Sequence, residues 1–440
     1  MRWAFGSVSA LFVLFGVGLL AGCGGGDDSS TPVPYRTVKF DAQGVARFDA
    51  QADDVLVVYR TGDLTVWPDA TGATQPAYEP ITMAPTGTAR QAAGTAVPDA
   101  PAASQLDRTV SNARTRTGRL YMPEVGDTHN FKFASGNEVT MQLRAIGVHC
   151  YIWAPYADPP LGTDEEVQLA TTEFDRIYPT TVALFGPTSD VDYDPRIHVV
   201  GLNTGGYASG VFSSDLVEMN GLDMITLDLS LLAPSDISLG GVMAHELQHD
   251  IWWAAKGNDG LVTINEGMSE FAYFSADPNI TAGKYMNFIK YPPGLSLILR
   301  NSQFVYCGGF TFCTYLHDRF GPEAVKKISG GSPLSGGDNL QQATGRTPEQ
   351  LLVDFSVALL LTGTTTDPRY QITSIPVRGT MGNTTLPPLG MTPMDGSVAG
   401  QCRPWGFCYG RALTAGNYTA TVAPGKDFHA VLVPGGAKGR

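Results

Sequence analysis

Gly240-Gly-Val-Met-Ala-His245-Glu246-Leu-Gln-His249 places two histidines four positions apart, with a glutamate directly after the first. On an α-helix, positions i and i+4 share a face with Cβ atoms ~5–6 Å apart. Two imidazoles at that spacing can therefore hold one tetrahedral zinc ion. Glu246 is rotated aside, where its carboxylate reaches a water on the ion but not the ion itself. Val242, Met243, Ala244 and Leu247 are suited to a buried helix, predicted over Leu239–Ala255. The alternative is two helix-surface histidines beside a carboxylate. With 7 histidines in the chain, chance assembly of the pattern is rare.

The segment that follows decides between these readings. The first helix ends near Lys256, the chain turns through Gly257-Asn-Asp-Gly260, and a second helix is predicted over Glu266–Phe274. At its start lies Asn265-Glu266-Gly267-Met268-Ser269-Glu270. His245, His249 and Glu266 then make a two-histidine, one-carboxylate zinc set with a place left for water, which is a catalytic arrangement, not a closed structural one.

These two motifs resemble those of the gluzincin metallopeptidases, zinc peptidases whose first active-site helix carries His-Glu-x-x-His and whose second carries an Asn-Glu-x-x-Ser-Asp/Glu motif. The resemblance implies that His245, His249 and Glu266 bind zinc and that Glu246 is the general base. It also implies that Glu270 orients the first ligand histidine from outside the ligand set. Metzincins need glycine and histidine where this chain has Trp252 and Ala255, so that branch is excluded. Tyr306, in Tyr306-Cys-Gly-Gly-Phe310, resembles the Tyr-x-x-Gly of aminopeptidase-like gluzincins. It is the candidate second donor to a developing oxyanion, with a core tyrosine as the alternative. His-Glu-Leu-Gln-His249, Ile264–Glu270, Phe185-Gly-Pro-Thr-Ser-Asp-Val-Asp-Tyr-Asp194 and Tyr315-Leu-His-Asp-Arg-Phe-Gly321 together are similar to the hyicolysin family of bacterial neutral metallopeptidases, over residues 120–365.

The expected fold class is α+β: a thermolysin-like (gluzincin) catalytic domain with a mixed sheet and active-site helices, flanked by β-rich terminal parts. Tyr35–Trp67 alternates apolar and polar residues (Val38, Phe40, Val45, Phe48, Val55, Val57, Tyr59), with Gly44 and Gly62 at turn positions. Residues 69–114 are rich in Pro, Ala, Thr and Gly and read as a linker or long loop. Strand patterning returns over Arg119–Trp153. The expected division is a β-rich region over 35–155, a catalytic domain over 156–365 and a β-rich region over 366–440.

Within the catalytic domain, Thr163 and Glu166 form a capping box ahead of a helix that Pro179 is expected to close. Strands are expected at Arg196–Leu202 and Met224–Leu229. The Gly-rich stretch Gly205–Ser214 lies between them, and by resemblance one of these segments supplies an edge strand for a bound peptide. Helices follow at Tyr306–Phe320 and from Thr347-Pro348, the latter with Gln350 as capping-box partner and Leu351, Leu352, Phe355, Ala358 and Leu359 as its buried stripe. Asp190-Val-Asp192-Tyr-Asp194 imitates the start of a calcium loop. Its sixth and twelfth positions are Pro195 and Gly201, where an EF-hand needs Gly and Glu, so a solvated turn is expected and Ca2+ is disfavoured.

At the amino end, Arg2 precedes the apolar run Trp3–Leu20, which ends in Leu20-Ala21-Gly22-Cys23. This resembles the bacterial lipobox. It implies a signal peptide over 1–22, acylation of Cys23, a flexible tether over 23–34, and a place in the cell envelope, on the outer membrane by the residue after Cys23. The other five cysteines can meet oxidising conditions. Cys402 and Cys408, in one short loop-like segment, are the better local disulfide pair, while Cys307 and Cys313 on one helix are too far apart. The net charge of −13, with no Lys/Arg cluster, excludes nucleic acid as a partner.

The expected activity is a lipid-anchored zinc endopeptidase acting on proteins outside the cytoplasm. The alternatives are a zinc aminopeptidase of the same clan and a surface lipoprotein that binds without cleaving. The aminopeptidase branch anchors a free amine with Gly-x-Met-Glu-Asn, whereas this chain has Glu218-Met219-Asn220-Gly221.

Overall fold

The computed structural model describes residues 33–62, 79–85, 123–133, 137–156, 162–203, 208–232, 237–278, 286, 288–292, 295–298, 303–381, 384–395 and 398–435. Tyr35–Arg440 forms one compact unit. The leader, Cys23 and the tether up to residue 32 lie outside the described residues, as does most of the Pro/Ala-rich stretch. Among the described residues, no helix is long and apolar enough to cross a membrane.

The first strands are β1 (Arg36–Val38), β2 (Val45–Ala50), β3 (Val55–Arg60) and β4 (Glu79–Pro85). β4 is a correction, since it falls inside the segment expected to be linker. Its Pro80 and Pro85 mask the strand pattern, while Ile81 and Met83 are fully buried. β3 is apolar at five successive positions, as a strand covered on both faces must be. Val55, Val57 and Tyr59 face the helical core, and Leu56 and Val58 face a second sheet.

Near the carboxyl end, β15 (Gly406–Arg411) and β17 (Phe428–Val433) pair antiparallel on either side of β3, and with β13 (Thr392–Pro393) they complete the sheet β1-β17-β3-β15-β13. The covering sheet is β14-β4-β16-β2, with β14 at Val398–Cys402 and β16 at Gly416–Thr421. The β-rich amino- and carboxyl-terminal stretches thus build one two-sheet layer together. Cys402 and Cys408 are both buried in its core as free thiols, a correction to the expected pair. Cys402 sits in the covering sheet and donates to the Gly406 carbonyl at 3.2 Å, whereas Cys408 belongs to the facing sheet.

The six-stranded mixed sheet has the order β5-β6-β7-β8-β10-β9: Thr128–Lys132, Glu138–Ile146, Cys150–Pro155, Ile197–Leu202, Met224–Asp228 and the edge strand Gly210–Val211. β5 to β7 were expected in a separate amino-terminal region, but β7 pairs in parallel with β8 and joins the catalytic sheet. One face carries Ile152, Val199, Ile225 and Leu227 against the main helices. The other carries Phe131, Leu143, Trp153 and Val200.

α1 (Asp164–Phe185) begins with the expected Thr163/Glu166 capping box. It does not stop at Pro179. The proline removes the N–H that would bond the Asp175 carbonyl, a defect of ~3 kcal/mol. Continued burial of Ile177, Thr181 and Phe185 keeps the helix intact through it. The helix Pro348–Leu361 has the Thr347/Gln350 capping box and is buried on every side from Leu351 to Leu360, beyond the one stripe expected. Short helices at Ser214–Asn220 (α2), Pro322–Ile328 and Gly336–Thr344 have no counterpart in the sequence reading.

The turn after α1 also differs from expectation. Asp192 and Asp194 are 5% and 3% exposed, so the turn is solvated only at Asp190 and Tyr193 and not at its other acidic positions. Asp194 accepts from Tyr151 Oη at 2.6 Å and from the Arg196 backbone, which explains its burial. The Ser189 hydroxyl lies between Asp223 and Asp250. Burial pushes the Asp223 carboxyl up to about 7 against the Ser189 hydrogen bond, with Asp250 and Asp192 adding to the rise.

Candidate metal centre

α3 (Leu239–Lys256) starts at the N-cap Ser238, whose side chain accepts from the Gly241 N–H at 3.1 Å. α4 (Val262–Ala276), with Leu261 as its N-cap, begins a full turn earlier than expected, so Glu266 sits in its second turn. The helix Gln303–Phe320 crosses α4 where Gly267 meets Gly309. A Cβ on Gly267 would lie 2.5 Å from the Gly309 backbone, so only glycine permits this approach.

The three expected ligands meet. His245 Nε2 and His249 Nε2 are 3.2 Å apart, and Glu266 Oε2 is 3.6 Å from the first and 3.5 Å from the second. In a tetrahedron the edge is ~1.63 times the centre-to-corner distance, so zinc at ~2.0–2.1 Å from each ligand implies edges of ~3.3–3.4 Å. The three separations bracket that value. Glu266 Oε2 is buried and has no hydrogen-bond partner, as expected of an atom reserved for an ion. The donor set fits zinc.

The opposite edges of the imidazoles fix their tautomers. His249 Nδ1 lies 3.2 Å from both Asn265 Oδ1 and Ser269 Oγ. The amide oxygen accepts only, so Nδ1 carries a proton and Nε2 is the nitrogen that a metal takes once its own proton leaves. Ser269 in turn donates to Gln248 Oε1, and Gln248 Nε2 donates to Ser329 Oγ at 2.8 Å. His245 Nδ1 faces Glu270 Oε1 at 3.6 Å, the position the resemblance implies. Asn265 and Ser269 belong to the motif quoted from the sequence but were given no role there, and Gln248 was not singled out. Ser269 does lie one helical turn beyond Asn265, and that spacing could have flagged the pair.

Glu246 stands beside the ligands without joining them. Its Oε2 accepts from the Phe212 backbone N–H at 2.7 Å. Gly210, on the edge strand β9, packs directly on it: a Cβ there would meet Glu246 Cγ at 2.8 Å and Oε1 at 2.9 Å. The sequence reading assigned no residue in this stretch, and Gly205 to Tyr207 lie outside the described residues. Tyr306 is 39% exposed, and its ring stacks on that of His245 with centroids 6.4 Å apart. Burial, with Glu266, Glu270 and Glu246 nearby, pushes its phenol well above the ordinary tyrosine range, so it stays a neutral donor. A cavity of about 770 Å³ opens beside His249 and Glu266, walled by Phe212, Trp252 and Trp253 with Glu218 and Asp259 among its lining.

Burial alone would lower the basicity of His249, but Glu266 outweighs it, and with Glu246 and Asn265 it raises the imidazole to about 9. Burial likewise opposes ionisation of Glu266, but His249 and His245 hold its carboxyl well below the usual range. A metal must therefore displace a proton from His249 at neutral pH. Below pH 9 the proton competes more strongly, so zinc affinity is expected to fall by about tenfold per pH unit between pH 8 and 6. Calorimetry in buffers of different ionisation enthalpy should record release of about one proton per zinc at pH 7.

No family model and no curated protein matches the chain. Among solved structures, the chain is similar to a mutant of a two-domain M1 zinc metallopeptidase bound to L-arginine, at 15% identity and a TM-score of 0.30 over 60% of this chain. It is also similar to a mutant M1 zinc metallopeptidase from Deinococcus radiodurans bound to a Tyr-Ser-Ala substrate, at 15% identity and a TM-score of 0.31 over 60% of this chain. The chain spans 61% of each of those structures, and the superposition is too loose to bear on the centre described above.

Proposed function

We propose that this chain is a zinc-dependent endopeptidase that hydrolyses peptide bonds in extracytoplasmic proteins. The reading is carried by one observation: His245, His249 and Glu266 present three ligand atoms at tetrahedral edge distances, with Glu246 held next to them by the Phe212 N–H. Zinc, when bound, supplies a Lewis acid that polarises a carbonyl and brings a water to a pKa of ~7. Glu246 accepts the proton of the attacking water and passes it to the leaving amine. Asn265 and Ser269 keep His249 in the tautomer that leaves Nε2 available. Tyr306 donates a hydrogen bond to the substrate oxygen as negative charge builds there.

Internal cleavage is favoured over removal of single amino-terminal residues. The Gly-x-Met-Glu-Asn amine anchor is not matched: the edge strand Gly210–Val211 carries no carboxylate, and Glu218, which lines the cavity beside His249 and Glu266, comes from α2, so free-amine against blocked peptides is the deciding comparison. Lipid anchoring through Cys23 and residence on the outer membrane rest on the sequence alone. A mass measurement of the mature amino-terminal peptide tests them.

The main test is cleavage of casein and of amino-terminally blocked peptides by purified protein, with and without chelator. Internal cleavage that chelator abolishes and stoichiometric zinc restores is expected. Cleavage of free-amine peptides only would establish an aminopeptidase, and zinc-loaded protein that cleaves nothing would sink both readings. In the same assay, Tyr306→Phe is expected to lower kcat by ~10²-fold with KM little changed, the signature of a hydrogen bond made only in the transition state.

A further inference from the structure

The cavity beside the metal ligands combines aromatic walls with a one-sided charge pattern that bond hydrolysis alone does not require. Its 770 Å³ is of the size that encloses a drug-sized ligand. Trp252 and Trp253 are 4% and 5% exposed, and with Phe212 they form its apolar side. Trp252 Nε1 donates to the Asp259 carbonyl at 2.9 Å, and the Trp253 and Phe212 rings pack with centroids 6.0 Å apart, so these walls are held in place. Asp215 and Glu218, three positions apart on α2, line the cavity together, while Leu216 and Val217 of the same helix are buried. Asp259 joins them from the turn between α3 and α4. The Ser214 hydroxyl donates to Asn258 Oδ1 at 3.2 Å and ties the start of α2 to that turn. Among the described residues, these three carboxylates make no ion pair and no lysine or arginine lines the cavity. Lys256, the one lysine or arginine in α3, is buried and donates to the Ser332 carbonyl.

The same cavity is joined to the chemistry. His249 and Glu266 are part of its lining, and the backbone N–H of Phe212, one of its walls, holds Glu246. An extended peptide advances ~3.3–3.6 Å per residue. A peptide whose scissile carbonyl reaches the metal therefore has a residue next to that bond at the cavity. We propose that this cavity is a specificity subsite that takes a lysine or arginine side chain flanking the scissile bond. The aliphatic stem packs on Trp252, Trp253 and Phe212, and the charged head meets Asp215, Glu218 and Asp259, the division such amphipathic side chains favour. An acidic side chain there would meet three like charges. The inference rests on the peptidase reading and adds its substrate class, proteins cut at basic residues.

The test uses the full chain with zinc bound and amino-terminally blocked peptides that differ at one residue, Lys, Arg, Gln or Glu, on either side of the scissile bond. Blocking removes the free amine as a rival occupant of the carboxylates. With three exposed pairs each worth a few-fold, kcat/KM for Lys or Arg is expected to exceed that for Gln by ~10-fold and that for Glu by ~10²-fold. The advantage should shrink several-fold from ~0.05 to ~1 M NaCl, as screening shortens the reach of the charges. Glu218→Lys should bring Glu level with Lys or above it, and Asp259→Asn should lower the Lys-to-Gln ratio. Both residues are exposed, so neither change endangers folding. Calorimetry of the same peptides on zinc-loaded Glu246→Gln reads the subsite without turnover, with the Lys peptide binding ~10-fold more tightly than the Gln peptide. Cleavage without preference for Lys or Arg, or a preference that Glu218→Lys leaves intact, would overturn the subsite while the peptidase reading stands. Cleavage of no peptide would overturn the peptidase reading, and equal binding of the Lys and Gln peptides would then overturn the subsite as well.

Discussion

Glu246→Gln is expected to retain one zinc per chain and to lose cleavage by ~10³-fold, equivalent to ~4 kcal/mol of transition-state stabilisation. The carboxylate is no ligand, so metal content should not respond. Glutamine keeps the shape, and its amide oxygen can still accept from the Phe212 N–H, so the packing of Gly210 on this side chain is preserved. What disappears is a base able to take a proton from water and return it to the departing amine. The loss should fall on kcat with KM nearly constant, because the proton moves only during the chemical step. Metal content and kcat measured on one preparation separate this from partial unfolding. Activity within tenfold of wild type would remove Glu246 from the mechanism and leave the proton to another group.

The part of the centre legible in the sequence is the part built within helices. His245, Glu246 and His249 are set by the 3.6-residue period of α3, and Glu266 and Glu270 by the same period in α4. Short-range geometry needs no knowledge of the fold. The Phe212 N–H reaches Glu246 because β9 lies at the edge of the sheet next to α3, and no pattern near Phe212 announces that. The sandwich was equally hidden. The stretches that hold β3 and β17 were expected to be β-rich, but nothing in either states that Val57 lies opposite Val431. At Pro179 and in β4, local proline signals pointed away from regular structure and tertiary burial overrode them. The Asp190–Asp194 turn misled in another way: its acidic residues read as solvated, while Asp192 and Asp194 are buried against His198 and Tyr151, which no local pattern announces.

Glu266→Gln is expected to act on the metal itself, in contrast to the change at Glu246. Closed protein zinc sites bind with ~10–16 kcal/mol shared among four ligands, so loss of one charged ligand removes ~3–4 kcal/mol, or ~10²–10³-fold in affinity. Buried Glu266 Oε2, without a hydrogen-bond partner, has no other task in the fold that the amide would leave undone. A second effect follows from the same carboxylate. Glu266 is the foremost influence raising His249 to about 9, so in Glu266→Gln the imidazole becomes less basic. Its proton then competes with zinc only at lower pH, and the tenfold-per-unit decline between pH 8 and 6 should flatten. Weaker binding together with a shallower pH dependence is a paired signature that general destabilisation does not produce. Competition titrations with a chromophoric chelator at several pH values would show it, and unchanged affinity in the folded variant would remove Glu266 from the ligand set.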